Sequence, residues 1–266
     1  MNSLIFSKKS LGQNFLIDQN IINKIAKITD IHNKIVLEIG PGYGNLTKKI
    51  LSMNPKKIYA IEKDKDSFLF LKEFFKSKKN IYIINEDILN TIKNKKIKQC
   101  QIILGNLPYN ISTQILASLI LTDKWPPVFD TLIFMFQKEV ADRILAKSGT
   151  KTFGRLSVLC NWRFTITKHF DVSPNCFKPK PKIKSTVLSF VPKKDSSFLK
   201  NPKILEMITR VLFSNRRKKV NKNFAKLFHE KEIIAKELDL NLNKRPEQLT
   251  NEMFYKIASK YEKLFG

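Results

Sequence analysis

The sequence predicts an α/β protein, in which a parallel sheet is followed by a small helical C-terminal domain. Strands that alternate with helices form βαβ units, and such units build a parallel sheet that is covered on both faces. Short β-branched runs, separated by segments of helical length, recur about every 22 residues at Val36–Ile39, Ile58–Ile61, Ile81–Ile84 and Ile102–Leu104. From Lys203 onward the pattern is helical to the end of the chain.

Three later apolar stretches are predicted to extend the sheet, namely Thr131–Phe136, Ser157–Phe164 and Thr186–Val191. The segment Lys138–Lys147 is predicted to be a helix between the first two of these strands. Before the first strand, Asn20–Ile28 has the apolar period of an amphipathic helix.

A change in the hydrophobic pattern of the sequence near residue 192 predicts a domain boundary. Pro192–Asn201 is polar and has no apolar period. We therefore expect one domain over residues 1–191 and a helical domain over 192–266. The predicted helices of the second domain are Lys203–Phe213, Arg217–Phe228, Glu230–Leu240 and Glu247–Leu264.

The charge balance points to a polyanionic partner. The chain has 49 Lys and Arg against 23 Asp and Glu, a net charge of +26, and its 42% hydrophobic content excludes a disordered chain. So large an excess of positive charge favours nucleic acid over a membrane surface as the partner. Because most of the basic residues are lysines, and Asn and Ile are also abundant, composition can account for part of the excess.

Cysteine and histidine usage argues against disulfide and metal chemistry. The spacing of Cys100, Cys160 and Cys176 suits neither a disulfide framework nor a zinc cluster, and the chain has only three histidines. No secretory leader or apolar run of membrane-spanning length is evident. The sequence therefore predicts a cytoplasmic protein without a metal site.

Three of the eight glycines lie directly after the first predicted strand, in Gly40-Pro41-Gly42-Tyr43-Gly44. Glycine there permits a tight strand-to-helix turn and lets a ligand approach the backbone. The GxGxG spacing differs from the GxGxxG of dinucleotide sites and from the GxxxxGK[ST] of phosphate loops. We predict that Gly40 and Gly42 line a ligand pocket; a plain structural turn is the alternative.

Carboxylates follow the second and third predicted strands, at Glu62 and Asp87. Open α/β sheets bind ligands at the carboxyl ends of their strands, where an acid can accept hydrogen bonds from both ribose hydroxyls. Asp87 can likewise accept a hydrogen bond from an adenine amine. Alone, either acid is more often an exposed loop charge than a ligand-binding group. Together with Gly40 and Gly42 they outline a pocket for an adenosyl group without phosphates, which resembles the class I S-adenosylmethionine-dependent methyltransferases.

The fourth strand is followed by the most specific motif of the chain, Asn106-Leu107-Pro108-Tyr109. At this place in such a fold it resembles the motif of enzymes that methylate exocyclic amines of nucleobases; a turn that caps the strand is the alternative. An exocyclic amine is a poor nucleophile because its lone pair is delocalised into the ring. If the Asn106 side-chain oxygen and the Leu107 carbonyl accept its N–H groups, the lone pair turns toward the sulfonium methyl. Pro108 stiffens the turn, and Tyr109 offers a face on which an extruded base can stack.

Over essentially its whole length the chain resembles the KsgA/RsmA-type ribosomal RNA adenine dimethyltransferases, whose relatives include the Erm methyltransferases and the eukaryotic small-subunit rRNA dimethylases. The matching stretches are Leu11–Leu16, Glu38–Gly42, Asn106–Ser112, Gln137–Val140, Phe153–Val158, Phe177–Lys182 and Arg216–Lys218. Departures are small: Leu11 replaces a frequent Phe, and Tyr43 and Asn45 vary a loop whose glycines are intact.

The resemblance implies a Rossmann-like enzyme that dimethylates two adjacent adenosines near the 3′ end of small-subunit rRNA. It implies S-adenosylmethionine as methyl donor, S-adenosylhomocysteine as product, and action on a pre-30S-type particle by a monomeric cytoplasmic protein. The residues expected to contact the cofactor are Asn14, Leu16, Gly40, Gly42, Glu62, Asp87 and Asn106.

Two further elements gain a role from the resemblance. Phe177 is expected to be the second aromatic that sandwiches the target base opposite Tyr109, although a loop phenylalanine packed on the core is the alternative. Basic side chains are expected to bind RNA phosphates, although a charge run is also typical of a solvated face. These residues are Arg155, Arg216, Arg217, Lys218 and Lys219.

Three other functions compete with this hypothesis. A non-catalytic nucleic-acid-binding protein on a methyltransferase fold would show an eroded cofactor pocket, and the sequence shows none. An Erm-type large-subunit rRNA methyltransferase is less consistent with the Phe177–Lys182 and Gln137–Val140 stretches. A DNA adenine methyltransferase would need a target-recognition region, which is hard to place in the tail.

Overall fold

The computed structural model describes residues 13–94, 99–194 and 199–266. Leu11 and Gly12, which begin the first matching stretch, lie outside the described residues. The strands are β1 (Phe15–Leu16), β2 (Ile35–Ile39), β3 (Lys57–Glu62), β4 (Ile81–Asn85), β5 (Ile102–Gly105), β6 (Thr131–Gln137), β7 (Phe164–Val172), β8 (Phe177–Lys178) and β9 (Ser185–Pro192). The α-helices are α1 (Gln19–Ala26), α2 (Asn45–Leu51), α3 (Lys65–Phe74), α4 (Ile88–Lys93), α5 (Ser112–Ile120), α6 (Lys138–Ile144), α7 (Arg155–Arg163), α8 (Pro202–Leu212), α9 (Asn221–Phe224), α10 (Lys231–Glu237) and α11 (Asn251–Phe265).

Seven of these strands form one sheet in the order β4-β3-β2-β5-β6-β9-β7. Strands β4, β3, β2, β5 and β6 run parallel, and β9 is antiparallel to β6. The four regularly spaced runs are therefore strands, as predicted, and the α/β class is confirmed. Because β3, β2 and β5 are parallel neighbours, their carboxyl ends meet at one edge of the sheet, at Glu62, Ile39 and Gly105.

The parallel strands lie in the core because helices cover them. Buried strand residues such as Val36, Ile58, Ile102 and Leu104 pack in one cluster with Ile22 and other helix residues. A parallel sheet buried on both faces needs near-continuous apolar strands, which explains the β-branched runs. Helix α1 begins at Gln19 because the Asp18 carboxylate accepts hydrogen bonds from the N–H groups of Asn20 and Ile21.

The prediction of a strand over Ser157–Phe164 is wrong. All of this segment except Phe164, the first residue of β7, lies in helix α7. The helix begins after Gly154, where the Gly154 N–H donates to the Ser157 hydroxyl at 3.1 Å. Most α7 side chains are buried, so its apolar residues show no helical period, and a short apolar run of that kind cannot be distinguished from a strand. The strand β7 follows it at the end of the sheet, where polar side chains such as Lys168 hide the strand signal.

The predicted helix over Arg217–Phe228 is also largely wrong, because only Asn221–Phe224 is α-helical. The N–H groups of Val220 and Asn221 donate to the carbonyls of Lys244 and Leu242, at 2.9 and 3.3 Å. These backbone groups are therefore paired with a distant segment instead of with a preceding helical turn. The other three predicted tail helices correspond to α8, α10 and α11.

The described chain packs as two compact units. The first comprises described residues up to 119 with 127–141 and 167–191, and the second comprises 120–126, 142–166 and described residues from 192 onward. The predicted division at residue 192 takes no account of the two earlier segments in the second unit. Contacts of Arg163 help to explain why the segment 120–126 belongs to the second unit. The Arg163 guanidinium donates to the Thr122 carbonyl at 2.6 Å and lies 4.5 Å from the Trp125 ring.

No helix among the described residues is long and apolar enough to cross a lipid bilayer.

Candidate functional site

An open cleft of about 690 Å³ lies in the first unit, at the edge where the carboxyl ends of β2, β3 and β5 meet. This is the position at which open α/β sheets bind their ligands. The lining residues are Gln13, Asn14, Phe15, Leu16, Glu38, Gly40, Pro41, Gly42, Tyr43, Asn45, Leu46, Glu62, Asn106, Leu107, Pro108 and Tyr109. Most of the sequence-predicted cofactor and catalytic residues are therefore brought together here.

The glycine loop after β2 is shaped by positive φ angles and by a close neighbour. Gly40 and Gly42 have φ of +65° and +57°, a region that favours glycine. A Cβ on Gly42 would lie 2.7 Å from the Phe15 ring, whereas one on Gly40 would meet nothing nearer than Pro108 at 4.0 Å. Only glycine at position 42 therefore lets the Phe15 segment lie this close to the loop.

Two carboxamides fasten the segment 14–16, which we call the strap, to the cleft. The Asn45 side-chain nitrogen donates to the Leu16 carbonyl at 2.8 Å, and that of Asn106 donates to the Asn14 carbonyl at 2.9 Å. On its other side the strap pairs antiparallel with β8, with Leu16 opposite Phe177. Asn45 is one of the positions at which this chain departs from the family pattern of the glycine loop. The structure gives it a role, in holding the strap, that the sequence did not reveal.

The bond to Asn14 settles the orientation of the Asn106 carboxamide. A carbonyl can only accept, so the Asn106 nitrogen must face the strap. The side-chain oxygen is then the group that remains to accept a hydrogen bond from a ligand. Asn106 directly follows β5, and the neighbouring Leu107 side chain is buried, which holds this turn against the core.

Glu62 lies at the end of β3 and is 6% exposed. Its two carboxylate oxygens accept hydrogen bonds from the N–H groups of Gly42, at 3.0 Å, and Asp64, at 2.8 Å. Burial raises the pKa of Glu62, and these two N–H groups oppose the rise. The carboxylate therefore joins the glycine loop to the end of the neighbouring strand, and its remaining lone pairs border the cleft.

Glu38 is a cleft residue to which the sequence assigned no role. It is 2% exposed in the otherwise apolar strand β2, and its Oε2 is without a hydrogen-bond partner among the described residues. Burial raises the pKa of Glu38 to about 7, and the nearby Glu62 carboxyl adds to the rise. A charged residue type within a buried strand was the sequence signal that could have identified it.

Tyr109 lines the cleft, and its hydroxyl is hydrogen-bonded to the Ser185 hydroxyl at 2.6 Å. Ser185 is fully buried at the start of β9. Burial raises the pKa of Tyr109, which keeps the phenol neutral.

Two predicted site residues are not among the described residues that line the cleft. Asp87 caps helix α4 through the Leu89 N–H and forms an ion pair with Lys63 at 2.8 Å. Burial alone would raise the pKa of Asp87, but these two partners lower it. Phe177 is 3% exposed, so a base can reach its ring only if the ring turns outward. The roles of Asp87 and Phe177 in ligand binding stay predictions.

The predicted RNA-binding residues lie in the second unit, and they differ in how many hydrogen bonds and ion pairs they already make within it. Arg216 donates to the Glu247 carboxylate at 2.8 Å, to the Phe153 carbonyl at 2.9 Å and to the Lys151 carbonyl. Arg155 lies 3.7 Å from the Glu206 carboxylate. Arg217, Lys218 and Lys219 are exposed, with the Lys219 ammonium 2.9 Å from the Asn243 side-chain oxygen.

The described ranges contain no group of three His, Cys, Asp or Glu side chains placed to hold a metal ion.

Residues 6–263 match the family described as ribosomal RNA adenine dimethylase. The chain is 48% identical over 260 residues to the ribosomal RNA small subunit methyltransferase A of Pelagibacter ubique, covering 98% of each sequence. It is 39% identical over 264 residues to the protein of that name from a Wolbachia of Drosophila simulans, covering 98% of this chain and 96% of the relative.

Two solved structures share the fold over nearly the whole chain. A dimethyladenosine transferase from Plasmodium falciparum has a TM-score of 0.81 at 28% identity, covering 94% of this chain and 98% of that one. The 23S rRNA methyltransferase ErmE has a TM-score of 0.68 at 20% identity, covering 94% and 100%. These similarities confirm the predicted class I methyltransferase fold.

Proposed function

The chain belongs to the ribosomal RNA adenine dimethylase family, and from that premise we propose that it dimethylates the exocyclic amines of two adjacent adenosines in the 3′-terminal hairpin loop of small-subunit rRNA. The methyl donor is S-adenosylmethionine. The observation that carries the proposal is the Asn106 carboxamide, held at the carboxyl end of β5 with its nitrogen bound to the Asn14 carbonyl.

The carboxyl groups of the cleft fit the positive charge of the proposed donor. The donor supplies an electrophilic methyl group on a positively charged sulfur. Two buried carboxyl groups, Glu38 and Glu62, border the cleft, and the Glu38 Oε2 is without a partner in the described chain. Because a cation stabilises the ionised form of a nearby carboxyl group, these two acids favour a cationic ligand over a phosphate. We expect Glu62 to accept from ribose hydroxyls and the strap to cover the ligand.

The chain's own residues act on the target amine by accepting its two N–H groups. We assign these acceptors to the Asn106 side-chain oxygen and the Leu107 carbonyl. Accepting both hydrogens withdraws the nitrogen lone pair from the ring and directs it along the line of attack. With the donor bound, the nitrogen would bond to the methyl carbon as the carbon–sulfur bond breaks, the bonding pair would stay on sulfur as a neutral thioether, and the proton lost from the amine would pass to solvent. Positioning and electrostatic stabilisation supply most of the rate enhancement.

Tyr109 provides the surface for the extruded base. Base stacking on an aromatic ring contributes about 1 to 3 kcal/mol per base. Tyr109 lines the same cleft as Asn106. A base on this ring would therefore present its amine toward the Asn106 oxygen.

We propose that basic residues of the second unit contact the RNA. Arg217, Lys218 and Lys219 are exposed and can bind phosphates, which makes affinity fall with salt. Arg216 already has three partners within its own unit, which favours a structural role for it. We further propose that the protein acts as a monomer on a pre-30S-type particle, which would place it in the cytoplasm.

Methyl transfer from labelled S-adenosylmethionine to small subunits that lack the modification tests the proposal. We expect label in the 3′-terminal region of the rRNA, as dimethyladenosine. Asn106→Ala should lower the rate at least a hundredfold, whereas the exposed Asn90→Ala on α4 should match the wild-type protein.

Three outcomes would contradict the proposal. Binding of small subunits without transfer of label would favour a non-catalytic nucleic-acid-binding protein. Label in unmodified large subunits, but not in small ones, would favour an Erm-type activity. Full activity of Asn106→Ala would exclude the assigned mechanism.

A further inference from the structure

Tyr109 and Ser185 are 76 residues apart in the sequence, and their hydroxyl oxygens are 2.6 Å apart in the structure. Ser185 opens strand β9 and pairs with Gln137 in the register of β6 and β9. Its side chain is fully buried. The Tyr109 hydroxyl therefore bonds to a group that the sheet itself holds in place.

Stacking does not require this hydroxyl, because the face of a phenylalanine ring can stack on a base as well as that of tyrosine. The hydroxyl does fix the ring at its far end, while the backbone of the Pro108 turn fixes it at the near end. A side chain held at both ends keeps one rotamer, so little rotational freedom is lost when a base arrives. The burial of Ser185 also means that loss of its partner leaves a polar group unsatisfied.

Resting on the proposed function, we propose that Ser185 is a positioning residue, which holds the Tyr109 ring in the orientation that stacks the target adenine beside Asn106. Ser185 is not among the described residues that line the cleft. Its effect on the reaction passes entirely through the tyrosine hydroxyl.

The proposal predicts a specific pattern of rates. Ser185→Ala and Tyr109→Phe each remove the same hydrogen bond, so each should lower kcat about three- to tenfold. Because both changes break one interaction, the double variant should be no more than twofold slower than Tyr109→Phe. Affinity for S-adenosylmethionine should change less than twofold in all three variants. Ser185→Thr keeps the hydroxyl and should restore at least half of the wild-type rate.

A matched control is available on the same strand. Ser189 is also buried in β9, but its hydroxyl is bonded to His169 at 2.8 Å. Ser189→Ala should leave kcat within twofold of the wild-type value. If Ser189→Ala slows methyl transfer as much as Ser185→Ala does, the lower rate results from any loss of a buried hydroxyl in β9, and the proposal is wrong.

A second readout does not depend on methyl transfer. Small subunits carrying 2-aminopurine at one target adenosine would be mixed with each variant in the presence of S-adenosylhomocysteine. Stacking on Tyr109 should quench the fluorescence, and Ser185→Ala and Tyr109→Phe should weaken the quenching to the same extent. Should Ser185→Ala not fold, Ser185→Cys, which is of similar size and a much weaker donor, takes its place in both measurements.

The outcomes separate this inference from the proposed function. A wild-type protein that transfers no methyl group to small subunits contradicts the proposed function. If the wild-type protein is active but the effects of the two single changes multiply in the double variant, the positioning role of Ser185 is wrong. The same holds if Ser185→Ala and Ser185→Cys both keep the wild-type rate and quenching.

Discussion

Replacing Glu38 with glutamine is expected to remove a large part of the pH dependence of the protein's stability. Glu38 is 2% exposed, and burial raises its pKa from 4.5 to about 7. In the unfolded chain this carboxyl group loses its proton near pH 4.5, whereas in the folded protein it keeps the proton to about pH 7. Between these values the folded state binds the extra proton, so the free energy of unfolding falls as pH rises.

The size of the effect follows from the two pKa values. A difference of one pH unit corresponds to about 1.4 kcal/mol, so a rise from 4.5 to about 7 corresponds to about 3 kcal/mol. The wild-type protein should therefore lose about 3 kcal/mol of unfolding free energy between pH 4 and pH 8 through Glu38 alone. Glu38→Gln cannot ionise and should not show this loss.

Urea denaturation of the ligand-free protein at a series of pH values measures the effect. The difference between wild-type protein and Glu38→Gln reports the titration of Glu38 together with its electrostatic coupling to the nearby Glu62 carboxyl. Glu230→Gln, which changes an exposed glutamate, is the matched control and should follow the wild-type curve. Stability curves of Glu38→Gln and wild-type protein that run parallel from pH 4 to pH 8 would refute the reasoning.

Three further substitutions test other contacts of the described chain. Asn106→Asp keeps an acceptor but cannot donate to the Asn14 carbonyl, so kcat should fall at least a hundredfold in the methyl-transfer assay. Arg216→Ala removes three internal hydrogen bonds of a partly exposed side chain, and urea denaturation should show a loss of about 1 to 2 kcal/mol. Gly42→Ala places a Cβ 2.7 Å from the Phe15 ring, and calorimetry should show at least tenfold weaker binding of S-adenosylmethionine.

Each of these substitutions has a control of the same type. Asn90→Asp, on the exposed surface of α4, should keep the wild-type rate. Arg217→Ala should leave stability within about 0.5 kcal/mol but weaken RNA binding at low salt. Gly149→Ala also has a positive φ, of +87°, but its Cβ would meet nothing within 4 Å, so it should leave cofactor affinity unchanged. Equal effects in any matched pair would contradict the contact on which that prediction rests.

Strands β2 to β6, strand β9 and the place of the cleft could be predicted from the sequence because each depends on local patterns. Buried parallel strands require continuous apolar runs, and the spacing of Val36–Ile39 and the three runs after it follows from the length of a βαβ unit. Parallel strands bring their carboxyl ends to one edge of the sheet. Residues at or just after these ends, such as Gly40, Glu62 and Asn106, therefore lie close together, and the order of strands and helices is enough to predict this.

Local patterns were insufficient where burial was uniform or where pairing was distant. The residues of helix α7 are buried on most sides, which removes the helical period of its apolar residues, so its sequence predicts a strand. The segment 217–228 has an amphipathic pattern, but its backbone pairs with residues far along the chain.

The motif residues could be identified from sequence, but their chemical states come from contacts between distant segments. The orientation of the Asn106 carboxamide depends on Asn14, 92 residues away, and the Tyr109 ring depends on Ser185. The raised pKa of Glu38 likewise results from its burial in the folded core. Spacing along a chain specifies which elements form and in what order. Only packing brings distant groups within hydrogen-bond distance and removes water from a carboxyl group, and these two effects decide what the site can do.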